Sequence, residues 1–213
     1  DYYKFFADIE TNIVLATTRH DIDTTDSFYE KENDYYDEMM PILENYRNEY
    51  SKVLYESPYR DVLEEKIGPV MLKSFDEKLI PLMQEENALV SRYGKLIATA
   101  EIPFDGEIYN LSLMRPFMTA EDRATRKRAW AAVSGYFQKV TGEIDEIYDK
   151  MVKNRTEQAR MLGYENYIEL GYYRMNRNCY DQEMVENFRA QVKKYFVPFV
   201  NRLHEQRRKD IGV

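Results

Sequence analysis

The sequence predicts an all-α protein, an antiparallel array of helices with one long central helix and a small β-hairpin around residues 97–111. Three observations support this class. The 213 residues include only 8 glycines, and residues that favour helices, such as Glu, Lys, Arg, Met and Leu, are abundant. Apolar residues recur at spacings of three and four along most of the chain. The β-branched and aromatic residues typical of strands form one convincing pattern, around Asp105-Gly106.

Two helices are expected at the start of the chain. The first runs from Asp1 to about Arg19. The second begins at Ser27, which forms a capping-box pattern with Glu30 three residues later, and continues to about Tyr55. The spacing of its apolar residues predicts a buried face made of Phe28, Tyr35, Met39, Leu43, Tyr46, Tyr50 and Leu54.

Prolines and glycines divide the next part of the chain. Residues 57–69 predict a compact helical unit that ends at Gly68-Pro69. A further helix is expected over about 70–93. Pro81 must bend or break this helix, because proline has no backbone N–H to donate.

The hairpin and the long helix follow. Asp105-Gly106 is typical of a tight hairpin turn, and a lone hairpin is marginally stable in water, so we expect it to lie against helices. Thr119 and Asp122 resemble a capping pair for the longest helix, which runs to Leu162. Gly163 is a natural stop, since glycine favours the backbone conformation that ends helices.

The chain ends with a short helix over about 166–175 and a final helix capped by Asp181 and kinked by Pro198. We divide the chain into an N-terminal helical region, 1–94, and a second region, 95–213, that begins with the hairpin. One continuous domain is the alternative, because no linker rich in Gly or Ser separates the two regions.

Composition excludes several classes of protein. The formal net charge of −8 argues against a general nucleic-acid binder, which needs a basic surface. The basic stretch 202–209 is typical of a solvated helix end.

Cys179 is the only cysteine, so neither an internal disulfide nor a cysteine-rich zinc site is expected. The longest apolar runs are too short to span a bilayer, which predicts no membrane partner. The chain begins without Met, so an export segment removed earlier and a longer parent protein both remain open.

No catalytic centre can be assembled from spacing alone. A His-Glu-x-x-His zinc motif needs two histidines four residues apart, and only His20 and His204 are present. The sequence HEQRR places Arg208 at the second histidine position, and a guanidinium cannot bind zinc. Phosphate-binding and nucleophile-elbow glycine motifs are absent. A lone Cys179 lacks an identified base, and a small structural cysteine is the simpler interpretation.

The segment 162–181, LGYENYIELGYYRMNRNCYD, interrupts two strong helical patterns with five tyrosines. A hinge, the wall of a binding cavity and a tight corner between helices are the three interpretations. In the last of these, rings fill the gap and Arg174 or Arg177 binds carbonyls at a helix end.

Three segments taken in order resemble the zinc metallopeptidases of the thimet oligopeptidase and oligoendopeptidase F family. They are TTRHDIDTTDSFYEKENDYYDEMMP at 17–41, IPFDGEIYNLSLMRPFMTAEDRATRKRAWAA at 102–132, and ARMLGYENYIELGYYRMNRNCYDQEMVENFRAQVKKYFVPFVNRLHEQRRKDIG at 159–212. The resemblance covers nearly the whole chain, although no single motif in it is diagnostic.

The resemblance implies an almost entirely helical enzyme with two halves around a deep channel that admits short peptides. It also implies a zinc ion bound by a His-Glu-x-x-His helix and a further Glu, all downstream of the matched region. We therefore expect the N-terminal and central part of such an enzyme, with no catalytic or metal-binding residue in this chain. The candidate substrate-binding residues, which could line the channel or brace its catalytic half, are Tyr172, Tyr173, Arg174, Asn176 and Arg177.

Several expectations follow from this resemblance. The partners would be short peptide substrates and the C-terminal catalytic region of the same polypeptide, and the setting would be cytoplasmic. The chain alone is expected to bind no stoichiometric zinc and to cleave no peptide. Apolar side chains that pack on the missing half should be exposed over about 162–199. The alternative function is a non-catalytic helical module that binds another protein.

Overall fold

The computed structural model describes residues 2–62, 68–177 and 179–212. It confirms an all-α fold with one small hairpin. The α-helices are α1 (Tyr2–Ile22), α2 (Ser27–Glu56), α3 (Gly68–Ser74), α4 (Ile80–Ala98), α5 (Arg115–Met118), α6 (Arg123–Met161), α7 (Tyr167–Arg174), α8 (Gln182–Gln191) and α9 (Val197–Ile211). Short 3₁₀ turns cover Arg60–Val62 and Glu77–Leu79, a π-helical turn covers Val192–Phe196, and the strands are β1 (Ile102–Phe104) and β2 (Glu107–Tyr109).

Four helices pack side by side in the order α1, α2, α4 and α6. Hydrogen bonds between side chains show that neighbours run antiparallel. At one end of the α4–α6 contact the Tyr136 hydroxyl donates to the carbonyl of Leu96 at 2.5 Å. At the other end Asn154 donates to the carbonyl of Leu82 at 2.9 Å. The residue numbers fall on one helix as they rise on the other.

The capping residues differ from two of the predicted ones. Asp26, rather than Ser27, caps α2 by accepting from the backbone N–H groups of residues 28 and 29. Asp122 caps α6 by accepting from the N–H groups of residues 124 and 125, whereas Thr119 ends α5. A carboxylate is an effective cap because it accepts two of the unpaired amides and complements the positive end of the helix.

The helix predicted over 70–93 is interrupted, but the interruption lies before Pro81 rather than at it. Helix α3 ends at Ser74, Asp76 caps the turn Glu77–Leu79, and α4 begins at Ile80. Pro81 lies in the first turn of α4, where a missing N–H costs nothing. Gly68-Pro69 begins α3 rather than ending a helix, and residues 63–67 of the predicted unit lie outside the described part of the chain.

The predicted buried face of α2 was also wrong. Its large aromatic residues are exposed, with Phe28 and Tyr46 each 62% accessible. The buried positions are Asn33, Pro41, Asn48 and Ser51. Helix α2 contacts α4 through polar side chains, and spacing alone does not distinguish a tyrosine that faces solvent from one that faces a core.

The hairpin forms as predicted, although its strands are shorter than 97–111. Asp105 and Gly106 have φ angles of 47° and 91°. Positive φ angles at both positions are typical of the two-residue hairpin turn that Asp-Gly favours. Residues 97 and 98 belong to α4 instead. The hairpin packs on α5 and α6 through a buried cluster made of Ile102, Phe104, Met114, Ala129 and Val133.

Residues 182–211 form a distinct unit, which we call the C-terminal arm. It consists of α8, the π-helical turn and α9, and none of its residues is buried. Its helices contact the π-helical turn extensively, but neither has a comparable contact with the described helices that precede it. Pro198 lies at the start of α9, directly after the π-helical turn. Since proline cannot donate to a preceding carbonyl, the wider π turn occurs where the regular ladder is interrupted.

Candidate functional site

An open crevice of about 720 Å³ lies between α3, α7 and the start of α8. It is the region that the tyrosine-rich segment 162–181 builds. Its described lining combines aromatic, charged and apolar side chains: Val70, Lys73, Asn166, Ile168, Glu169, Tyr172, Tyr173, Arg177, Cys179, Tyr180, Asp181, Gln182 and Met184. Three of the five predicted substrate-binding residues, Tyr172, Tyr173 and Arg177, therefore contribute to one concave surface.

Helix α7 is held firmly on the body of the protein. Gly163, with φ of 88°, ends α6, and the Tyr164 N–H donates to the carbonyl of Ala159 at 3.0 Å. Asn166 caps α7 by accepting from the N–H of residue 168. Leu170 is completely buried on the inner face of α7. These contacts position the opposite face of the helix at the crevice.

Arg174 faces away from the crevice, into a polar network between helices. Its guanidinium donates to the side-chain oxygen of Gln158 at 2.6 Å and lies 3.6 Å from Glu86. Gln158 is completely buried and donates to Glu86 at 2.7 Å, and Arg155 donates to the other Glu86 oxygen at 2.7 Å. Arg174 thus ties α7 to α6 and α4, and its donors are already engaged.

Asn176 forms the end of α7. Its φ of 53° lies in the left-handed region, which Asn tolerates better than most residues. The N–H of Asn176 donates to the carbonyl of Tyr173, and the N–H of Arg177 donates to that of Tyr172, both at 2.9 Å. This pattern closes the helix. Asn176 lines a second crevice, of about 490 Å³, on the other side of α7.

Two of the tyrosines at the main crevice, Tyr172 and Tyr173, have cations on their rings. The Lys73 ammonium lies 5.4 Å from the ring centre of Tyr173. The Arg177 guanidinium lies 5.3 Å from that of Tyr172. The Tyr173 hydroxyl donates to Glu169 at 2.9 Å, and this bond to a carboxylate, together with burial, raises the pKa of the Tyr173 hydroxyl. Tyr173 is therefore a neutral hydrogen-bond donor at neutral pH.

Lys73 and Glu169 were missed by sequence reasoning. Lys73 lies 91 residues from Tyr164, whose hydroxyl donates to the Lys73 carbonyl at 2.9 Å. Local spacing carries no information about such a contact, because α3 and α7 meet only in the folded protein. Arg174 and Asn176 were candidates for the same reason as Arg177, as donors in the tyrosine-rich segment, but the structure directs them elsewhere.

The donor set of the described residues does not fit a zinc site. No group of three His, Cys, Asp or Glu side chains comes together within the described ranges. His20 is buried and pairs with Glu30 at 2.9 Å, and His204 lies on the exposed arm. Structural and catalytic zinc sites need three or four protein ligands around one point.

Among the described residues, no helix is long and apolar enough to cross a membrane.

The chain was compared with known proteins. The profile of the peptidase M3 N-terminal domain matches residues 1–102, and the profile of peptidase family M3 matches residues 116–212. No curated protein matches the chain.

Solved structures give a similar result. The chain is 41% identical to PZ peptidase A, solved with an inhibitor, and the TM-score is 0.92 over 97% of this chain and 38% of that one. A protein from Bacillus anthracis str. Ames that is assigned as an oligoendopeptidase F is 40% identical. Its TM-score is 0.88, over 93% of this chain and 38% of that one. A further structure assigned to oligoendopeptidase F is 41% identical, with a TM-score of 0.89 over 93% and 36%.

The chain spans less than two fifths of the length of these relatives, since the alignments cover 36–38% of their residues. Within that span the TM-scores of 0.88–0.92 show the same overall fold. The two family profiles occur in order and together cover nearly every residue. The chain therefore belongs to peptidase family M3.

Proposed function

We propose that this chain forms the N-terminal and central part of a zinc-dependent oligoendopeptidase that hydrolyses short peptides. The observation that carries the proposal is the match to PZ peptidase A at 41% identity over 97% of the chain. Its role in that enzyme is to supply scaffold and one wall of the substrate channel. Peptides are the substrate class that membership of a peptidase family implies.

The zinc ion belongs, in this proposal, to the part of the longer relatives that the chain does not match. The described residues offer no suitable cluster of ligands, so no chemical step is assigned to any residue of this chain. A zinc ion bound elsewhere would polarise the scissile carbonyl and activate a water molecule. The cytoplasmic setting stays a prediction. The division into 1–94 and 95–213 also stays a prediction, and its boundary falls inside α4, which runs across residue 94.

The C-terminal arm supports the existence of a further packing partner. Apolar side chains expected over 162–199 are exposed, and those that do not line the main crevice continue to the end of α9: Met175, Phe188, Tyr195, Phe196, Val197, Phe199, Leu203 and Ile211. Surfaces of this kind mark contacts with other protein. We assign the arm to the contact with the catalytic part of the peptidase.

The five candidate residues receive different roles. Tyr172, Tyr173 and Arg177 form the wall that faces substrate, because they line the main crevice. Arg174 and Asn176 hold α7 in place through the polar network and the helix end. The first three are expected to affect substrate binding, and the other two to affect stability.

The test uses a protein extended to the full length of the relatives. We expect it to cleave internally quenched fluorescent peptides, to lose activity with a strong chelator and to regain it with zinc. The 213-residue chain, measured in parallel for metal content and hydrolysis, should show neither. Hydrolysis that survives removal of all metal would contradict the proposal. A longer protein that hydrolyses no peptide would contradict it as well.

The exposed arm also favours a second candidate, a non-catalytic helical module that binds another protein. The two candidates differ in what covers the apolar face of the arm. A longer protein that hydrolyses peptides and buries this face supports the peptidase. A longer protein that is inactive and leaves the face free to capture a separate protein supports the module.

A further inference from the structure

We propose that the crevice between α3, α7 and α8 binds the carboxylate at the C-terminus of a peptide, with Lys73 and Arg177 as its cationic partners. This inference rests on the proposed function for its ligand class. It adds a residue that the sequence did not suggest, Lys73, and a chemical feature that the crevice recognises. It also separates Arg177 from Arg174, which is engaged elsewhere.

The first argument is that the two cations of the crevice are unpaired. Among the described residues, neither Lys73 nor Arg177 forms an ion pair with a carboxylate, although both line the same crevice. Each is held instead against an aromatic ring, Lys73 on Tyr173 and Arg177 on Tyr172. A cation held on a ring face has no carboxylate partner to give up, so it can bind an anion without first breaking an ion pair.

The second argument concerns the two carboxylates of the lining, which already have donors. Glu169 accepts from the Tyr173 hydroxyl at 2.9 Å. Asp181 accepts from the N–H of Met184 at 2.9 Å, as the cap of α8. The carboxylates therefore have hydrogen-bond partners within the protein, whereas the cations have none from a carboxylate. Lys73 and Arg177 are therefore the charged groups of the lining that remain available to an anionic ligand.

The third argument is the apolar surface beside these cations. Ile168, Tyr172, Tyr180 and Met184 line the same space, and Tyr180 and Met184 are exposed. Aromatic rings and methionine accept apolar side chains of varied shape. A peptide that ends in a large apolar residue would place its carboxylate near the cations and its side chain on this surface. A bare inorganic anion would leave the apolar surface unused.

The crevice has the dimensions for such a ligand. Its volume of about 720 Å³ lies within the range of about 300–1,000 Å³ typical of small-molecule sites. It is also open, so a peptide could end there while the rest of the peptide extends away. This geometry predicts selectivity at the final residue and little selectivity several residues before it.

The experiment measures binding to the 213-residue chain. Fluorescently labelled pentapeptides ending in Phe are compared as the free acid and as the C-terminal amide, by fluorescence anisotropy. We expect the acid to bind about tenfold more tightly, as is typical when a charge-assisted interaction of about 1.4 kcal/mol is lost. The acid's advantage should fall as salt is raised, because ions screen the attraction.

Two substitutions identify the cations. Lys73→Met and Arg177→Gln keep the side-chain stems, remove the charge, and should each reduce the preference for acid over amide about threefold or more. Lys139→Met and Arg123→Gln, at exposed positions on α6, serve as matched controls and should leave the preference unchanged. Circular dichroism of each variant confirms that it is folded.

Equal affinity for acid and amide overturns the inference, as does a preference that survives both crevice substitutions. Inorganic phosphate that competes as strongly as the peptide acid would show a simple anion site and would also overturn it. The proposed function is judged separately, by hydrolysis in the longer protein. Hydrolysis without acid-selective binding defeats this inference alone, and acid-selective binding without hydrolysis defeats the proposed function alone.

Discussion

The body of the protein, by which we mean the described residues before 182, and the C-terminal arm are both helical. Of the two, only the body has an interior. In the body, α4, α6 and α7 enclose residues such as Leu79, Leu170 and Gln158 that are completely buried. In the arm no residue is buried, and Phe188 is 67% exposed. The two regions have similar patterns of apolar residues at helical spacing. The pattern therefore predicts a helix in both regions. It does not specify whether the described chain supplies the surface against which the apolar face packs.

The body also differs from the arm in how its helices are joined. Buried polar side chains connect its helices in specific pairs, as Glu86 does with Gln158, Arg155 and Arg174. Such a network is stable only when every member has a partner, so it specifies one arrangement. The side-chain contacts within the described arm are local, such as that between Gln206 and Asp210 at 2.8 Å, and local contacts do not define a tertiary position.

The largest expected effect compares one apolar residue from each region. Leu170→Ala in α7 should reduce the free energy of unfolding by about 2–5 kcal/mol, because it leaves a cavity. Phe188→Ala in the arm should change it by less than about 0.5 kcal/mol, because little surface is lost. Urea unfolding followed by circular dichroism measures both. Equal losses for the two variants would show that the arm packs on the body in solution.

Breaking the polar network should come next in size. Glu86→Ala leaves Arg155, Arg174 and Gln158 without their shared acceptor, and we expect a loss of about 3 kcal/mol. Glu183→Ala, at an exposed position in the arm, is the matched control and should be nearly neutral. The same unfolding assay applies, and a loss below about 1 kcal/mol for Glu86→Ala would contradict the role assigned to the network.

A smaller effect concerns pH at the contact of α1, α2 and α4. The hydrogen bond from Lys95 is the largest cause that lowers the pKa of the Glu30 carboxyl; burial opposes it, and the bond with His20 adds to the lowering. A lowered pKa means that the stabilising contribution is complete above the ordinary value of 4.5. It is lost as the pH falls through the lowered value.

Thermal unfolding as a function of pH measures this effect. Glu30→Gln should lower the melting temperature at pH 7, and the difference from the parent should disappear in acid. Glu121→Gln, at an exposed position, is the control and should show no such dependence. A difference that persists unchanged at low pH would mean that the lost contact is steric rather than ionic.

The smallest expected effect has the opposite sign. Burial raises the pKa of the Asp37 carboxyl, with a further contribution from Asp34, although the hydrogen bond from Ser91 at 2.5 Å opposes the shift. A raised pKa means that the ionised form is disfavoured in the folded protein, so stability falls as the pH rises through that pKa. Asp37→Asn should therefore stabilise the protein at pH 7, by less than about 1 kcal/mol. Melting temperatures at pH 7 and in acid test this, and destabilisation at pH 7 would contradict it.

Features decided by neighbouring residues were predictable from the sequence. The Asp105-Gly106 turn, the stop at Gly163 and the cap at Asp181 all depend on backbone preferences within a few positions, and the structure confirms each. The break predicted at Pro81 lies a few positions after the observed one near Asp76, because apolar spacing continues across Asp76. Capping by an Asp side chain competes with helix continuation there, and spacing does not record that competition.

Features decided by distant residues were not predictable. Lys73 reaches the ring of Tyr173 across 100 positions, and Arg174 reaches Glu86 across 88. Both contacts depend on how α3 and α4 are placed against α7, which no local pattern specifies. The segment 162–181 forms a tight corner and also lines a crevice, so these two interpretations are compatible, and ligand binding in the crevice stays a prediction.

Hydrogen–deuterium exchange tests most directly whether the arm is a surface that the rest of the peptidase covers. In the 213-residue chain we expect slow exchange at backbone amides of α4, α6 and α7 and fast exchange over 182–211, because solvent-exposed helices open easily. In a protein extended to the length of its relatives, the arm should become as protected as the body. An arm that is already protected in the short chain, or that remains unprotected in the long one, would contradict the account.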